Sequence, residues 1–296
     1  MKIIGTKSVS SNTASLLNVS VVLATYEGES SNNLSQSIDS IISQTLKPQE
    51  LIIIGDGPLP SSQKTIINAA IAKALFPVRF ISLNENVGRG RARNIGIEAS
   101  TTDFIALMDS DDISHPERLE IQTSFLRKNP DIDLVATLST EFEDVSQCID
   151  IGVIKSCPEF HAGIQKALLF SNCVTNPTIV FRKSSWAIVG GFPDFREFNE
   201  DYLFYFRMIS SGAKFACIQT PLLKVRISSV QRSRRRGVRL LAMDFRFRLT
   251  SYREGHVSLF WFLAPLFFVA IRRLLPAGLG RISQKIWRNL AIYLHR

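Results

Sequence analysis

Cysteine is scarce in this sequence, which has four cysteines among 296 residues and no pair separated by only two positions. Thiols so few and so scattered exclude a disulfide-stabilised scaffold and the usual paired-cysteine zinc site. The first 18 residues are rich in Ser, Thr and Asn and lack an apolar centre, so they do not have the form of a signal peptide. We therefore expect a reducing, cytoplasmic setting.

Long hydrophobic runs are also missing. The stretch from Val257 to Ile271 has 15 uncharged, mostly apolar residues with Pro265 inside it, which is short of the ~20 residues needed to span a bilayer. Hydrophobic residues make up 45% of the chain and charged residues 21%, which excludes a disordered protein. The length suits two domains, or one large α/β domain with an appendage.

Charge is divided unevenly along the chain. Residues 224–296 contain 16 Lys and Arg against Asp244 and Glu254, a net charge of +14, whereas residues 1–223 carry −5. A mildly acidic body and a strongly basic C-terminal part indicate two different tasks. We expect the basic part to face an anionic partner.

The body alternates between short apolar runs and helix-like stretches, which predicts an α/β fold with a mainly parallel central sheet covered by helices. The residues after Met108 include Ser114–Glu117, which has the spacing of a capping box for a helix ending near Lys128. In mainly parallel α/β sheets of this kind, ligands bind beyond the carboxyl ends of the strands. The predicted strands are 19–24, 51–54, 78–83 and 103–108, and the helices between them lie near 34–42, 65–74 and 90–99.

The strongest local signal is the run Asp109-Ser110-Asp111-Asp112 directly after a predicted strand. Carboxylates at positions i and i+2 of an extended turn can both reach one hard divalent cation such as Mg²⁺ or Mn²⁺. An isolated pattern of this kind is more typical of a surface turn or a helix N-terminus. Its place at a strand end favours the metal-site interpretation.

Other polar groups follow the remaining strands. Asp56 is either a turn residue or an acceptor for a nucleobase or ribose. Three arginines at a predicted helix start suggest an anionic ligand because the helix dipole disfavours cations there, with a solvated run of charges as the alternative. Taken alone, Glu200-Asp201 is more typical of a helix N-terminus than of a site. The candidates at these ends are Thr25, Tyr26, Glu27, Asp56, Arg89, Arg91 and Arg93.

Five segments together resemble family 2 glycosyltransferases, which have the Rossmann-like GT-A fold. Their order and spacing cover roughly residues 17–225, and this combination makes the resemblance specific. The segments are Val19–Pro58, Asn84–Ala99, Phe104–Gln122, Asn176–Phe192 and Phe198–Ala216.

The resemblance implies roles for individual residues on the donor side. Asp109 and Asp111 match the family's metal-binding pair, which holds Mg²⁺ or Mn²⁺ against the diphosphate of a nucleotide-sugar, and Asp112 would assist behind them. Asp56 matches an acid near the base or ribose, and Arg93 a basic residue near the nucleotide. Thr25, Tyr26 and Glu27 would lie beside Asp56. The donor is expected to be a UDP-sugar.

On the acceptor side, Asp201 matches the acid that deprotonates the acceptor hydroxyl, with Glu200 before it in the same catalytic motif. Such a reaction inverts the anomeric carbon. Two departures from the family pattern stand out: Gly55 occupies the place of a first acid before Asp56, and Val225-Arg226-Ile227-Ser228 replaces a common polar ligand. Whether Ser228 or Arg232 takes over a diphosphate contact stays open.

The C-terminal part supplies the remaining expectations. Its basic residues and the apolar run 257–271 favour a helical segment lying on the anionic inner face of the cell membrane, although a buried core helix is an alternative. Nucleic acid is not expected as a partner because the basic part has no recognisable motif for reading nucleic acid. We thus predict a polar leader over 1–16, a catalytic domain over 17–225 and a membrane-associating region over 226–296.

The overall prediction is an inverting, metal-dependent glycosyltransferase acting on a glycan or lipid-linked acceptor in the assembly of a bacterial surface polysaccharide. A sugar-1-phosphate nucleotidyltransferase is one alternative, but residues 25–29 are not the Gly-rich, Arg-containing loop that such an enzyme needs. A non-catalytic, membrane-docked glycan-binding protein is another. It would not require Asp109, Asp111 and Asp201 together.

Overall fold

A computed structural model describes residues 2–4, 18–143, 149–194, 199–227 and 238–274. Within these ranges the strands form one mixed sheet in the order β1-β4-β3-β2-β5-β9-β7-β10-β6, with β8 paired to β7. The strands are β1 (Lys2–Ile4), β2 (Val19–Thr25), β3 (Glu50–Gly55), β4 (Val78–Ser82), β5 (Phe104–Asp109), β6 (Ile113–Ser114), β7 (Leu134–Glu143), β8 (Ile149–Lys155), β9 (Val180–Arg182) and β10 (Phe215–Arg226).

Helices cover both faces of this sheet. A short 3₁₀ turn, Asn176–Thr178, precedes β9. The helices are α1 (Ser31–Ile42), α2 (Ser61–Lys73), α3 (Arg89–Ala99), α4 (Arg118–Lys128), α5 (His161–Phe170), α6 (Lys183–Ile188), α7 (Glu200–Ser210), α8 (Val238–Arg253) and α9 (Leu259–Leu274).

The four strands predicted from apolar runs, β2 to β5, are parallel neighbours in the order β4-β3-β2-β5. Alternate residues of β2 enter different cores: Val22 packs in one apolar cluster, and Val21 and Leu23 in another on the opposite face. A strand buried on both faces is apolar at most positions, which is why a nearly continuous apolar run predicted it. The remainder of the sheet is mixed, since β9 runs antiparallel to both β5 and β7.

Helix α3 lies unusually close to the sheet. A Cβ on Gly96 would stand 2.5 Å from the Cγ1 of Val22, so only glycine allows this approach. The close packing fixes α3 over β2 and thereby fixes the side chains of its first turns at the carboxyl edge of the strands.

The capping-box prediction at Ser114–Glu117 is wrong. Ser114 lies in β6, where its N–H donates to the Ser40 hydroxyl at 3.0 Å and its hydroxyl accepts from Gln44 at 3.2 Å. Helix α4 begins at Arg118, and Glu117 before it makes no side-chain cap. Ser114 thus bonds to residues of α1 and of the segment after it instead of capping α4.

Helix α8 packs against α7. Phe247 stacks on Tyr202 with ring centroids 4.5 Å apart and on Phe206 at 6.0 Å. Asn199, which precedes α7 with φ of 67°, donates its side-chain N–H to Asp244 of α8 at 3.2 Å. The described part of the C-terminal region is therefore joined to the main core.

Helix α9 also contacts the body on one side. Trp261 meets Phe170 edge to face at 4.7 Å, and Phe262 is buried. None of the helices in the described ranges is both long and apolar enough to cross a membrane. Strand β1, in the predicted polar leader, pairs with β4, and residues 5–16 and 275–296 lie outside the described ranges. The division at residues 225 and 226 stays a prediction.

Candidate active site

Three carboxylates stand together at the carboxyl end of β5. Asp109 is the last residue of β5, in register with Ala24 of β2, and the Ser37 hydroxyl donates to its carbonyl oxygen at 2.9 Å. Carboxylate oxygens of Asp109, Asp111 and Asp112 all lie within 4.8 Å of one another. The parallel strand brings the first acid to the sheet edge, and the following turn folds the other two back beside it.

The electrostatics of this cluster fit a cation. Burial raises the pKa of Asp112 well above its usual range, and the neighbouring charges of Asp111 and Asp109 raise it further. Arg118 lies fully buried near these acids, and its burial lowers its pKa to about 10. Three oxygen-bearing acids held this close suit a hard divalent ion, which would relieve their mutual repulsion.

Arg226 holds the acidic turn from the side of β10. Its backbone N–H donates to the Asp112 carboxylate at 2.9 Å, and its Nε donates to the carbonyl oxygen of Asp111 at 2.8 Å. Its guanidinium also reaches Gln36 at 2.6 Å and lies 4.6 Å from the ring centre of Phe142. In the sequence Arg226 stands out only as part of a departure from the family pattern, and this role could not be predicted from it.

Arg93 joins the acidic cluster to α7. Its Nη2 donates to the Asp109 carboxylate at 2.7 Å, and its Nη1 donates to Glu200 at 3.1 Å. Burial opposes its charge, but Asp109 and Glu200 outweigh burial and raise the pKa of Arg93 above its usual value. One buried cation thus connects two motifs that are far apart in the sequence.

Asn176 and Tyr205 complete the surroundings of Arg93. With its oxygen turned toward Arg93, the Asn176 amide accepts from both Nη atoms at 3.2 Å and donates to the Tyr205 hydroxyl at 2.9 Å. Burial raises the pKa of Tyr205 well above its usual value, so this hydroxyl keeps its proton.

Glu200 and Asp201 begin α7 but have different environments. Glu200 is buried, with a carboxylate oxygen 2.6 Å from Arg89 Nε and 3.1 Å from Arg93 Nη1. Asp201 is partly exposed, and its oxygens accept from the Asn172 side chain at 3.0 Å and from the Tyr202 N–H at 2.8 Å. Burial and the Glu200 charge raise the pKa of Asp201. Asp201 is therefore the better placed of the two to meet a ligand.

The residues predicted to hold the nucleotide lie at the same edge. Asp56 is buried, and its two carboxylate oxygens accept from the backbone N–H groups of Val87 and Gly88 at 2.7 and 3.1 Å. Thr25 is buried against Gln63, whereas Tyr26 and Glu27 are exposed. Asp56 thus fixes the turn just before α3. It also lies at the carboxyl edge of the strands, so it fits the turn interpretation and stays a candidate for the nucleotide contact.

Some predicted residues fall elsewhere. Ser228 and Arg232 lie outside the described residues, so the open question about a diphosphate contact is not addressed by the structure. Trp186, within the matched segment Asn176–Phe192, is buried and donates to the Asn94 side chain at 3.1 Å, so it belongs to the core.

Comparison with known proteins identifies the family. The family model described as Glycosyl transferase family 2 matches residues 20–185, which includes the three acids, Asp56 and Arg93. The chain belongs to glycosyl transferase family 2. It is therefore a glycosyltransferase, and the enzyme class predicted from the sequence is confirmed.

Two curated relatives of this glycosyltransferase align over nearly their whole lengths. The amylovoran biosynthesis glycosyltransferase AmsE of Erwinia amylovora is 29% identical over 262 residues, covering 87% of this chain and 94% of the relative. The Escherichia coli UDP-Gal:alpha-D-GlcNAc-diphosphoundecaprenol beta-1,3-galactosyltransferase is 29% identical over 271 residues, covering 91% and 96%.

Solved structures support the fold. TarS residues 1–349 of S. aureus in complex with UDP-GlcNAc superimposes with a TM-score of 0.62 at 16% identity, covering 79% of this glycosyltransferase and 66% of that chain. The predicted GT-A arrangement of a central sheet flanked by helices is confirmed.

Proposed function

We propose that this enzyme transfers a sugar, with inversion at the anomeric carbon, from a UDP-sugar to a hydroxyl of a glycan or lipid-linked acceptor. The observation that carries the proposal is the Arg93 guanidinium, which contacts Asp109 of the acidic cluster and Glu200 beside Asp201. This contact supports a site in which the proposed donor-side and acceptor-side motifs lie next to each other. Membership of family 2 disfavours both alternatives raised by the sequence, a nucleotidyltransferase and a non-catalytic glycan-binding protein.

The donor would bind along the carboxyl edge of β2, β3 and β5. Thr25, Tyr26, Glu27 and Asp56 would border the base and ribose, and the diphosphate would lie near Asp109. A UDP-sugar is supported by the two comparison proteins whose names include one, the E. coli galactosyltransferase and the TarS complex.

Asp109 and Asp111 would hold a Mg²⁺ or Mn²⁺ ion, with Asp112 behind them. Such an ion would neutralise charge on the departing diphosphate. Arg93 already engages one oxygen of Asp109, so the orientation of this carboxylate is set before any ion binds. Arg226 fixes the backbone of the same turn through Asp111 and Asp112.

Asp201 would act as the general base. Its carboxylate takes the proton of the acceptor hydroxyl as that oxygen forms a bond to the anomeric carbon, and the bond from this carbon to the diphosphate oxygen breaks. The electron pair of the broken bond leaves with the nucleoside diphosphate. A single displacement from the opposite face inverts the configuration.

The acceptor is proposed to be presented at the cytoplasmic face of the membrane, within the assembly of a surface polysaccharide. The E. coli relative is named for a diphosphoundecaprenol-linked acceptor, and AmsE is named for amylovoran biosynthesis. Helix α9 presents exposed Leu259, Phe260, Leu263 and Phe267 within a region of net charge +14. Apolar side chains flanked by basic residues suit an anionic bilayer surface.

The test is transfer by an Asp201→Asn variant, with donor binding measured separately. We expect transfer to fall by roughly 10³-fold or more, because the amide cannot accept the proton, while UDP-sugar affinity stays within a few-fold. Asp131→Asn, an exposed substitution away from the cleft, serves as the matched control. Normal turnover by the Asp201 variant would remove this residue from the role.

A further inference from the structure

Asn172 lies in the short connection between α5 and the 3₁₀ turn, facing the first turn of α7. Its side-chain Nδ2 donates to Oδ2 of Asp201 at 3.0 Å. Its Oδ1 accepts from the N–H of Val174 at 3.2 Å. Because the backbone N–H fixes which end of the amide is the oxygen, the NH₂ group must face Asp201.

The surroundings hold Asn172 in place. Val174 is buried in the main apolar cluster, and Cys173 is partly buried and packs against the same cluster. At the end of α5, the carbonyl oxygen of Leu168 accepts from the Tyr202 hydroxyl, the residue next to Asp201. Helix α5 and the connection that follows it are thus bonded to α7 at two adjacent residues, Tyr202 and Asp201, and these bonds hold the Asn172 amide against the Asp201 carboxylate.

Both oxygens of Asp201 accordingly accept one hydrogen bond each, from Asn172 and from the Tyr202 N–H. Two donors on different oxygens prevent rotation of the carboxylate about its Cβ–Cγ bond. Each oxygen keeps a further lone pair that can accept a proton from an incoming hydroxyl. Donors to the charged form also favour ionisation, opposing the effects of burial and of Glu200.

We propose that Asn172 is a positioning residue of this glycosyltransferase, which orients the Asp201 carboxylate toward the acceptor and keeps it ionised at neutral pH. The inference rests on the proposed role of Asp201 as the base and extends it to a residue outside the family motifs. Among the described residues, the charged or titratable groups that face Asp201 are Glu200 and Tyr205 on α7 and Arg89 and Arg93 on α3.

The experiment compares pH profiles of kcat/KM for acceptor between about pH 5 and pH 9 in the full chain. Asn172→Asp keeps the shape and the acceptor for Val174 but sets a second carboxylate against Asp201. We expect the acidic limb to move up by about one pH unit or more, with kcat reduced at neutral pH and partly recovered at higher pH. The KM for UDP-sugar should change less than about twofold, since donor-side contacts are kept.

Two further variants separate positioning from stability. Asn172→Ala removes the donor without adding charge, so its acidic limb should move up by a smaller amount than that of Asn172→Asp. Asn68→Asp adds the same charge at an exposed position on α2 and should leave the profile unchanged. Melting temperatures measured in parallel identify any variant whose loss comes from unfolding.

The outcomes are distinguishable. If Asp201→Asn is inactive and the acidic limbs of both Asn172 variants superimpose on that of the parent, the positioning role is overturned while the proposed function stands. If Asp201→Asn retains turnover, both fail. A structural role alone would lower activity equally at every pH and would also overturn the inference.

Discussion

Arg93 Nη2 lies 2.7 Å from the Asp109 carboxylate, and the Arg93 side chain is almost entirely shielded from water. The same guanidinium contacts Glu200 and faces the Asn176 amide. Bidentate and branching contacts of this kind depend on the planar, multi-donor guanidinium, which a lysine cannot reproduce. Arg93 therefore contributes directly to the relative placement of Asp109 and Glu200, with Arg89 as a second contact to Glu200.

Replacing Arg93 with Lys should lower kcat/KM by about 100-fold, because one ammonium cannot contact Asp109 and Glu200 together and small misplacements of reacting groups are costly. Steady-state kinetics with a UDP-sugar donor provide the measurement. Arg127→Lys, an exposed change at the end of α4, is the matched control. Wild-type kinetics in the Arg93 variant would contradict its connecting role.

Removing divalent metal with a chelator should abolish transfer, and adding Mn²⁺ should restore it. In Asp111→Asn the loss of one carboxylate should weaken Mn²⁺ binding by about tenfold or more, since hard cations prefer charged oxygen ligands. Electron paramagnetic resonance of free Mn²⁺ gives the affinity directly. Full activity in the chelated enzyme would exclude a metal role for Asp109 and Asp111.

Glu50 should make the fold sensitive to acid. Its carboxylate accepts from Ser20, Thr101 and Arg79; although burial raises its pKa, these bonds outweigh burial and hold the pKa below its usual value. Since the folded-state pKa is depressed, this stabilisation is present above the unfolded-state pKa and is lost as pH falls through the folded-state value.

Glu50→Gln should accordingly lower the free energy of unfolding at neutral pH by about 2–4 kcal/mol, because it leaves Arg79 without its charged partner. The deficit relative to the parent should shrink as the pH falls through the acidic range. Urea unfolding at a series of pH values measures both. A deficit that is the same at every pH would argue against a charge effect.

Binding to vesicles should depend on the exposed face of α9. Leu263, with 53% of its surface exposed, should insert among lipids, so Leu263→Glu should weaken sedimentation with anionic vesicles by roughly tenfold or more. The matched control is Leu75→Glu, at a site that is 80% exposed in the loop between α2 and β4. Equal binding of the two variants would place the membrane contact elsewhere.

The parts of the site that follow strands could be predicted from the sequence. Asp109 and Asp111 could be identified from the sequence because an apolar strand and the turn after it are local patterns. Parallel strands then bring their carboxyl ends to one edge of the sheet. The four parallel strands were predicted for the same reason. The acceptor-side role of Glu200-Asp201 was predicted only from the family resemblance.

The contacts that complete the site could not be predicted in this way. Arg226 meets Asp112 across 114 positions, and Asn172 meets Asp201 from a connection without a regular pattern. Arg118 is fully buried although arginine is usually exposed. No periodicity distinguishes these side chains from ordinary polar residues, because their partners are set by the packing of distant elements.

Helix α8 packs against α7 through Phe247 and holds Asn199, just before α7, through Asp244, so removing α8 would disturb α7. A version shortened before residue 238 would expose the rings of Tyr202 and Phe206 to water and release Asn199 next to the catalytic motif. Because these apolar rings would be exposed, we expect the shortened protein to aggregate. Purification in detergent or lipid nanodiscs, with both C-terminal helices retained, is the better route to a donor-bound complex.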